Sequence, residues 1–150
     1  MIVWGINALN HDASIAVVAD KELKYWARAS EFSGIPGDDK LPTGLLTDAI
    51  NHSQYRGPEV ISWYERPLLK KFRQFYAGQY RDALDMSVMP KRYLNECRLG
   101  YAKLRYQSHH KSHAAAGFFT SPFSQAAIVV LDAIGEWESA SIWSVSYTHL

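Results

Sequence analysis

Residues 109–123 read HHKSHAAAGFFTSPF, in a segment whose pattern predicts the start of a helix. His109 and His113 are four residues apart, so both imidazoles project from the same helical face and can bind one metal ion. His110 lies about 100° around such a helix and is less suited to the same ion. The small residues at 114–117 allow another backbone or a ligand to approach closely. The stretch therefore predicts a helix that presents polar ligands at its first turn.

An apolar strand is predicted directly after this helix, at residues 126–131. The strand is expected to end in the sequence DAIGE, which begins at Asp132. Acidic residues at the carboxyl ends of core strands often take part in metal or nucleotide chemistry in α/β folds. A turn closed by Gly135, with its carboxylates in solvent, explains the same pattern equally well. Both interpretations of the acidic turn stay open on the residues alone.

The histidine pair alone does not define a metal site, because a complete site needs three or more ligands. The glutamate of a zinc-protease HExxH helix is absent, since His110 follows His109 and is itself followed by Lys111. On spacing alone, a structural role for His109 and His113 is the commoner outcome. The metal interpretation needs further support.

A second candidate site is the polar turn at residues 7–14, NALNHDAS, between two predicted strands. Backbone N–H groups and the side chains of residues such as Asn10 and Ser14 can hold a phosphate group in such a turn. The turn is not a P-loop, and it lacks the glycines of a dinucleotide-binding fingerprint. A hairpin loop in which Asp12 and Ser14 bond to the backbone is the simpler interpretation.

The composition is that of an ordinary soluble globular domain. The 150 residues are 47% hydrophobic and 21% charged, enough for one domain with a core. The net charge of +1 gives no reason to expect a nucleic-acid partner. The single cysteine, Cys97, excludes an internal disulfide and is typical of a reducing compartment. No signal peptide and no apolar run of about 20 residues is present, so a cytoplasmic protein without a membrane partner is expected.

The hydrophobic pattern predicts an α/β fold. Short β-rich runs at 2–6, 14–19 and 23–29 predict an antiparallel meander. A helix that begins near Thr43 leads to a strand at 59–64 that is suited to a parallel position. Further along, the pattern predicts a helix at 68–80, a helix or helical turn at 81–89 and a helix at 91–101, with Pro90 either closing the second or beginning the third. A strand at 104–108, the helix from His109, and strands at 126–131 and 139–145 follow.

Three stretches together resemble the carbamoyltransferase family that modifies nodulation factors, cephamycins and aminoglycosides. The family has the motifs HDAS, HHxxHAA and DGxGE in this order. Here they stand as His11–Ser14, His109–Ala115 and Asp132–Glu136, with similar spacing. The segments Tyr64–Pro67 and Ser121–Phe123 are similar as well. The combination is far more specific than any one motif, and it covers nearly the whole chain.

The resemblance implies the ribonuclease-H-like first lobe of an actin-like ATPase domain, with a mixed sheet and flanking helices. Family members use ATP and carbamoyl phosphate to form carbamoyl adenylate, and then transfer the carbamoyl group to the hydroxyl of a small-molecule acceptor. Adenylate formation belongs to a separate C-terminal domain. Residues 1–144 would then be an incomplete N-terminal lobe whose partner is the missing C-terminal part of the same polypeptide. We expect this fragment alone to be inactive.

The resemblance also implies a metal site. The transfer site of the family carries iron(II), or another divalent metal, held by two histidines of the helix and by aspartates. Carried over to this chain, His109 and His113 are ligands and Asp132 is the third. Ala133 departs from the family pattern, which has glycine at this position, so the backbone there is expected to approach a ligand differently.

The HDAS motif carries the remaining predicted roles. His11 is expected to contact the carbamoyl-phosphoryl part of the intermediate, as a catalytic residue. Its neighbours Asn10, Asp12 and Ser14 are expected to bind the cofactor. At the other end of the chain, residues 145–150 (VSYTHL) follow no family pattern and are interpreted as a possible non-native tail.

Two alternatives come from other classes of protein. The chain could be a non-catalytic metal- or nucleotide-binding module, or one lobe of an actin-fold kinase. The kinase interpretation has less support, because a phosphotransfer lobe gives no reason for the histidine pair.

Overall fold

The computed structural model describes residues 1–146. It divides into two compact units, of which the first comprises Met1–Tyr64 and Met86–Tyr106. The second comprises Glu65–Asp85 and the residues from Gln107 onward. Within residues 1–146, no helix is long and apolar enough to cross a lipid bilayer.

The chain begins with three strands, and helices and single strands follow until the final pair of strands. In order, they are β1 (Ile2–Asn7), β2 (Ser14–Ala19), β3 (Glu22–Arg28), α1 (Ser30–Ser33), α2 (Thr43–His52), β4 (Val60–Trp63), α3 (Pro67–Tyr76), α4 (Tyr80–Leu84), a 3-10 turn (Met86–Val88), α5 (Pro90–Glu96), β5 (Lys103–Tyr106), α6 (His109–Phe119), β6 (Gln125–Gly135) and β7 (Glu138–Ser146).

The first unit is built on a five-stranded mixed sheet in the order β3-β2-β1-β4-β5. β1 pairs antiparallel with β2 and parallel with β4. β2 pairs antiparallel with β3, and β4 pairs parallel with β5. Along β1, IVWGIN alternates buried and half-buried side chains, which is the two-residue period of a strand packed more closely on one face. The predicted α/β class, the antiparallel meander and the parallel position of β4 are confirmed.

Large apolar side chains from the sheet and its helices form the core of the first unit. Tyr93 in α5 adds a buried hydrogen bond to this core, because its hydroxyl accepts from the backbone N–H of Leu41 at 2.6 Å. The main contributors are Trp4, Ile6, Ile15, Val17, Ile61 and Trp63 from the strands and Leu45, Ala49, Tyr93 and Leu94 from the helices.

The second unit contains α3, α4 and α6 and the antiparallel pair β6–β7. α6 packs on this pair and buries Ala114 and Phe118 on its inner side. On the pair itself, Val129 lies opposite Ile142, and both side chains are exposed, as is Leu131. The second unit therefore leaves much of its apolar surface open.

Two helices end earlier than the hydrophobic pattern predicts. The helix predicted at 68–80 ends at Tyr76, and Gly78 adopts a φ of 76°, which stops helical continuation. The helix predicted at 91–101 ends at Glu96, and Arg98 adopts a φ of 59°. Pro90 occupies the first turn of that helix, which decides between its two predicted positions.

The strands of the second unit are longer than predicted. β6 runs to Gly135, so Asp132 lies within the strand and does not end it. The pairing of β6 with β7 is irregular between Leu131 and Gly135, and this irregularity contains the acidic residue. β7 continues through Ser146, so the predicted tail begins inside a strand, while residues 147–150 lie outside the described residues.

Candidate metal centre

The first turn of α6 presents two imidazoles to one side of the helix. The helix begins at His109 after Ser108, whose backbone is extended and whose carbonyl accepts hydrogen bonds from the N–H and hydroxyl of Ser112 at 3.0 and 3.3 Å. The ring centroids of His109 and His113 are 4.8 Å apart, and their Nε2 atoms are 3.0 Å apart. This is the geometry that the four-residue spacing predicts.

Asp132 completes a group of three potential metal ligands. Its Oδ2 atom lies 2.9 Å from Nε2 of His109 and 3.8 Å from Nε2 of His113. Its Oδ1 atom accepts a hydrogen bond from the N–H of Ala133 at 2.7 Å, which fixes the orientation of the carboxylate. The irregular segment of β6 therefore turns this carboxylate toward the two histidines of α6.

The three side chains fit a divalent metal ion. Two ligand atoms that each bind one ion at about 2.1 Å cannot be more than about 4.2 Å apart. The separations of 3.0, 2.9 and 3.8 Å all lie below this limit. Two imidazoles and one carboxylate are also the ligand set of non-haem iron(II) sites, and zinc accepts the same types of ligand.

The group is buried on one side and open on the other. The side chain of His109 is 11% exposed and that of Asp132 is 26% exposed, whereas that of His113 is 54% exposed. A ligand from solvent can therefore reach the group on the side of His113, while the side of His109 is largely buried.

Gly135 allows the histidine helix to approach the strand. A Cβ atom at this position would lie 2.5 Å from Cδ2 of His109 and 2.9 Å from Cδ2 of His110. Any larger residue must therefore displace one of these rings or the helix. Ala133, which departs from the family pattern, is exposed. The strand backbone comes close to the histidine rings two residues further along, at Gly135.

Glu65 lies beside His109 on the side of the ring away from Asp132. It is only 7% exposed, and its Oε2 atom is 3.7 Å from Nδ1 of His109. Its Oε1 atom is 2.9 Å from Nζ of Lys70. The sequence predicts no role for Glu65, and the only signal of this residue is the similarity of the segment Tyr64–Pro67 to the family.

His110 has a different environment from its two neighbours on the helix. It is 1% exposed, and its Nδ1 atom lies 2.7 Å from the hydroxyl of Ser141 and 3.4 Å from a carboxylate oxygen of Glu138. The indole N–H of Trp143 donates to the same hydroxyl at 2.8 Å. His110 is therefore packed against β7 and does not share the ligand group.

The other acidic residues after the strand have separate contacts. Glu136 accepts a hydrogen bond from the backbone N–H of Arg66 at 2.7 Å, which links the end of β6 to the start of α3. The side chain of Glu138 is 60% exposed. Within residues 1–146, Asp132 is the acidic residue that joins His109 and His113.

The predicted residues of the HDAS motif lie in the first unit. The carboxylate of Asp12 accepts hydrogen bonds from the N–H and hydroxyl of Ser30, at 3.1 and 2.5 Å. The amide nitrogen of Asn10 is 3.1 Å from Nε2 of His11, and both residues are exposed. Ser14 begins β2. The structure thus gives Asp12 a structural role, and the roles predicted for all four residues stay predictions.

Comparison with known proteins identifies the family of the chain. The model of the family described as "Carbamoyltransferase N-terminus" matches residues 62–149, which is more than half of the 150 residues and includes His109, His113 and Asp132. A protein of Synechocystis sp., described as uncharacterized protein sll1178, is 30% identical over 167 residues. The match covers 95% of this chain and spans 27% of the length of that relative.

Proposed function

The chain belongs to the carbamoyltransferase family, within its N-terminal region, and we propose that it is part of an O-carbamoyltransferase. The proposed enzyme transfers a carbamoyl group from carbamoyl phosphate, through carbamoyl adenylate, to the hydroxyl of a small-molecule acceptor. ATP and carbamoyl phosphate bind mostly outside this chain, in the C-terminal part of the same polypeptide. We also propose that the first unit is the ribonuclease-H-like lobe of an actin-like ATPase domain, which the strand order β3-β2-β1-β4-β5 supports.

The observation that carries this proposal is the group formed by His109, His113 and Asp132 inside the matched family range. The three donor atoms come from two elements, α6 and β6, and their separations suit one divalent ion. Three side chains at the correct separations are much more specific than a pair at helical spacing. We propose iron(II), or another divalent metal, as the ion.

The proposed reaction assigns each residue of the site a task. The metal, when bound, acts as a Lewis acid toward a carbamoyl or phosphoryl oxygen. His109 and Asp132 hold the buried side of the site, and His113 holds the side that solvent and acceptor can reach. His11 contacts the carbamoyl-phosphoryl part of the intermediate. The acceptor hydroxyl releases its proton to solvent as its oxygen bonds to the carbamoyl carbon, the bond from that carbon to the phosphoryl oxygen breaks, and AMP leaves with the electron pair of that bond.

The reaction is tested in a full-length protein that carries this chain as its N-terminal region. With ATP, carbamoyl phosphate and a panel of small hydroxyl compounds, we expect transfer of the carbamoyl group to at least one acceptor. His113→Ala is expected to abolish transfer while ATP-dependent adenylate formation continues, because that step belongs to the C-terminal domain. His52→Ala, in an exposed part of α2, is the matched control and should keep both steps.

Two results would count against the proposal. Transfer at the same rate in His113→Ala would exclude the candidate metal centre from the reaction. Complete turnover of ATP and carbamoyl phosphate by the isolated 150-residue chain would contradict the proposed need for the C-terminal part.

A further inference from the structure

We propose that Glu65 is a positioning residue of the candidate metal centre. Its buried carboxylate orients the ring of His109 and favours the tautomer in which Nε2 can bind a metal ion. This inference rests on the proposed function, since it assumes that His109 is a ligand.

The geometry places Glu65 and Asp132 on opposite nitrogens of one imidazole. Nε2 of His109 is 2.9 Å from Oδ2 of Asp132. Nδ1 of the same ring is 3.7 Å from Oε2 of Glu65, slightly longer than a hydrogen bond, so this carboxylate acts on the ring through its charge. The ring of His109 therefore lies between a carboxylate that shares the ligand group and a second carboxylate outside it.

The chemistry of imidazole gives this arrangement a consequence. A neutral histidine that binds a metal through Nε2 carries its proton on Nδ1. An ionised carboxylate beside Nδ1 stabilises that tautomer and makes Nε2 a better electron donor. Metal-binding histidines very often direct their second nitrogen to a carboxylate, and removal of that partner commonly weakens metal binding. Glu65 occupies the position of this partner.

Lys70 holds the carboxylate of Glu65 in place. Its ammonium is 2.9 Å from Oε1, and the two side chains are 21% and 9% exposed. A buried carboxylate is strongly disfavoured unless a partner compensates its charge. Lys70 takes one oxygen of Glu65, and the other oxygen lies on the side of His109.

The backbone beside Glu65 is also fixed to the strand that supplies Asp132. The N–H of Arg66 donates to Glu136 at 2.7 Å, and Glu136 follows β6 directly. The segment before α3 and the acidic segment of β6 are thus tied together. The hydrogen bond from Arg66 to Glu136 and the ion pair of Lys70 with Glu65 together position Glu65 beside His109.

A second carboxylate of the same unit provides a matched control. Glu138 lies 3.4 Å from Nδ1 of His110, but its side chain is 60% exposed and His110 is outside the ligand group. Both glutamates thus lie beside the Nδ1 atom of a histidine in α6. Only Glu65 is next to a candidate ligand.

The test is an anaerobic titration of the 150-residue chain with Co²⁺, whose visible spectrum reports on its ligands. We expect Glu65→Gln to weaken Co²⁺ binding about 10- to 100-fold and to shift the visible bands of the bound ion, because the basicity of His109 changes. Glu138→Gln should leave both the affinity and the bands as in the wild type. Glu65→Asp, which keeps the charge, should recover part of the affinity lost in Glu65→Gln.

The outcomes separate this inference from the proposed function. Wild-type affinity and unchanged bands in Glu65→Gln, together with lost binding in His113→Ala, would overturn the role of Glu65 alone. Equal binding in the wild type and His113→Ala would overturn the metal centre and this inference with it. A lower thermal midpoint of metal-free Glu65→Gln, with an unchanged spectrum of bound Co²⁺, would show a purely structural role. Failure of Glu65→Asp to bind more tightly than Glu65→Gln would also contradict the proposal.

Discussion

The two units of the chain differ in the type of residue that they bury. The first unit encloses a core of large apolar side chains, among which Trp4 and Trp63 are at most 1% exposed. The second unit leaves Val129, Leu131 and Ile142 at least 60% exposed. Yet three of the four buried polar or charged residues in the described part of the chain, Glu65, His109 and His110, lie in the second unit.

The first unit is therefore stabilised mainly by apolar burial, whereas the second unit carries the polar residues of the candidate metal centre. Apolar burial stabilises the first unit, since each large core side chain contributes about 1.5 to 3 kcal/mol relative to an exposed one. Buried polar groups cost free energy unless they have partners, so their concentration in the second unit indicates specific contacts. The ligand group is therefore held by a few defined interactions. Substitutions in the two units should have different effects.

The largest expected effect is in the core of the first unit. Leu45 is fully buried, so Leu45→Ala should lower the free energy of unfolding by about 2 to 5 kcal/mol. Its matched substitution in the second unit, Leu131→Ala, removes a side chain that is 77% exposed and should change the free energy by less than about 0.5 kcal/mol. Urea denaturation followed by circular dichroism measures both, and equal losses would contradict the contrast between the units.

The next-largest effect is expected in the second unit, where two glycines have different surroundings. Gly135→Ala places a Cβ atom 2.5 Å from the ring of His109, so we expect a loss of about 1 to 3 kcal/mol from overpacking and weaker metal binding. Gly117→Ala meets no atom within 4 Å and lies inside α6, so it should stabilise the helix by up to about 1 kcal/mol. Thermal unfolding and Co²⁺ titration compare the two variants. Equal behaviour would show that the close approach at Gly135 is unimportant.

A smaller effect on the free energy of unfolding is expected from the buried hydrogen bond between Tyr93 and Leu41 in the first unit. Tyr93→Phe removes the acceptor of the Leu41 N–H and should cost about 1 to 2 kcal/mol at neutral pH. Tyr76→Phe in the second unit, where the side chain is 80% exposed, should change little. Chemical denaturation at pH 7 provides the comparison, and a neutral Tyr93→Phe would contradict the importance of this hydrogen bond.

Alkaline pH tests the burial of the same tyrosine. Burial raises the pKa of the Tyr93 hydroxyl above its unfolded value of 10.0. A raised pKa means that the contribution of Tyr93 is complete below pH 10 and declines as the pH rises above it. The free energy of unfolding should therefore fall above pH 10 less steeply in Tyr93→Phe than in the wild type. Identical slopes would show that Tyr93 is solvent-accessible when folded.

The smallest effect on stability is expected on the open face of the second unit. The exposed apolar side chains of β6 and β7 predict self-association at high concentration. Ile142→Lys should leave the free energy of unfolding nearly unchanged and reduce association. Light scattering over a concentration series measures this. A monomeric wild type at high concentration would contradict the prediction.

The sequence predicts the elements of this fold better than the contacts between them. The meander and the start of α2 follow from local periodicity, and so does the shared face of His109 and His113. The ends of α3 and α5 are missed because the residues that stop them act through positive φ angles and not through hydrophobicity. Asp132 is a candidate from its place after an apolar run, but its role as the third ligand comes from the resemblance, since the irregular strand that positions it has no local signature.

Glu65 and Gly135 show why the rest of the site is not predictable from the sequence. Glu65 precedes a helix start, and its significance comes from Lys70 and His109, which packing brings to it. Gly135 lies three residues after Asp132, and the need for a glycine there arises from the rings of α6. Both are consequences of tertiary contacts that a hydrophobic pattern does not contain.

The metal content of the purified chain tests the central claim most directly. Protein prepared anaerobically and reconstituted with iron(II) should retain the ion in the wild type and in the control His52→Ala. It should lose the ion in His109→Ala and in His113→Ala, because each removes one of three ligands. The same iron content in the wild type and in both of these variants would contradict the assignment of His109 and His113 as metal ligands.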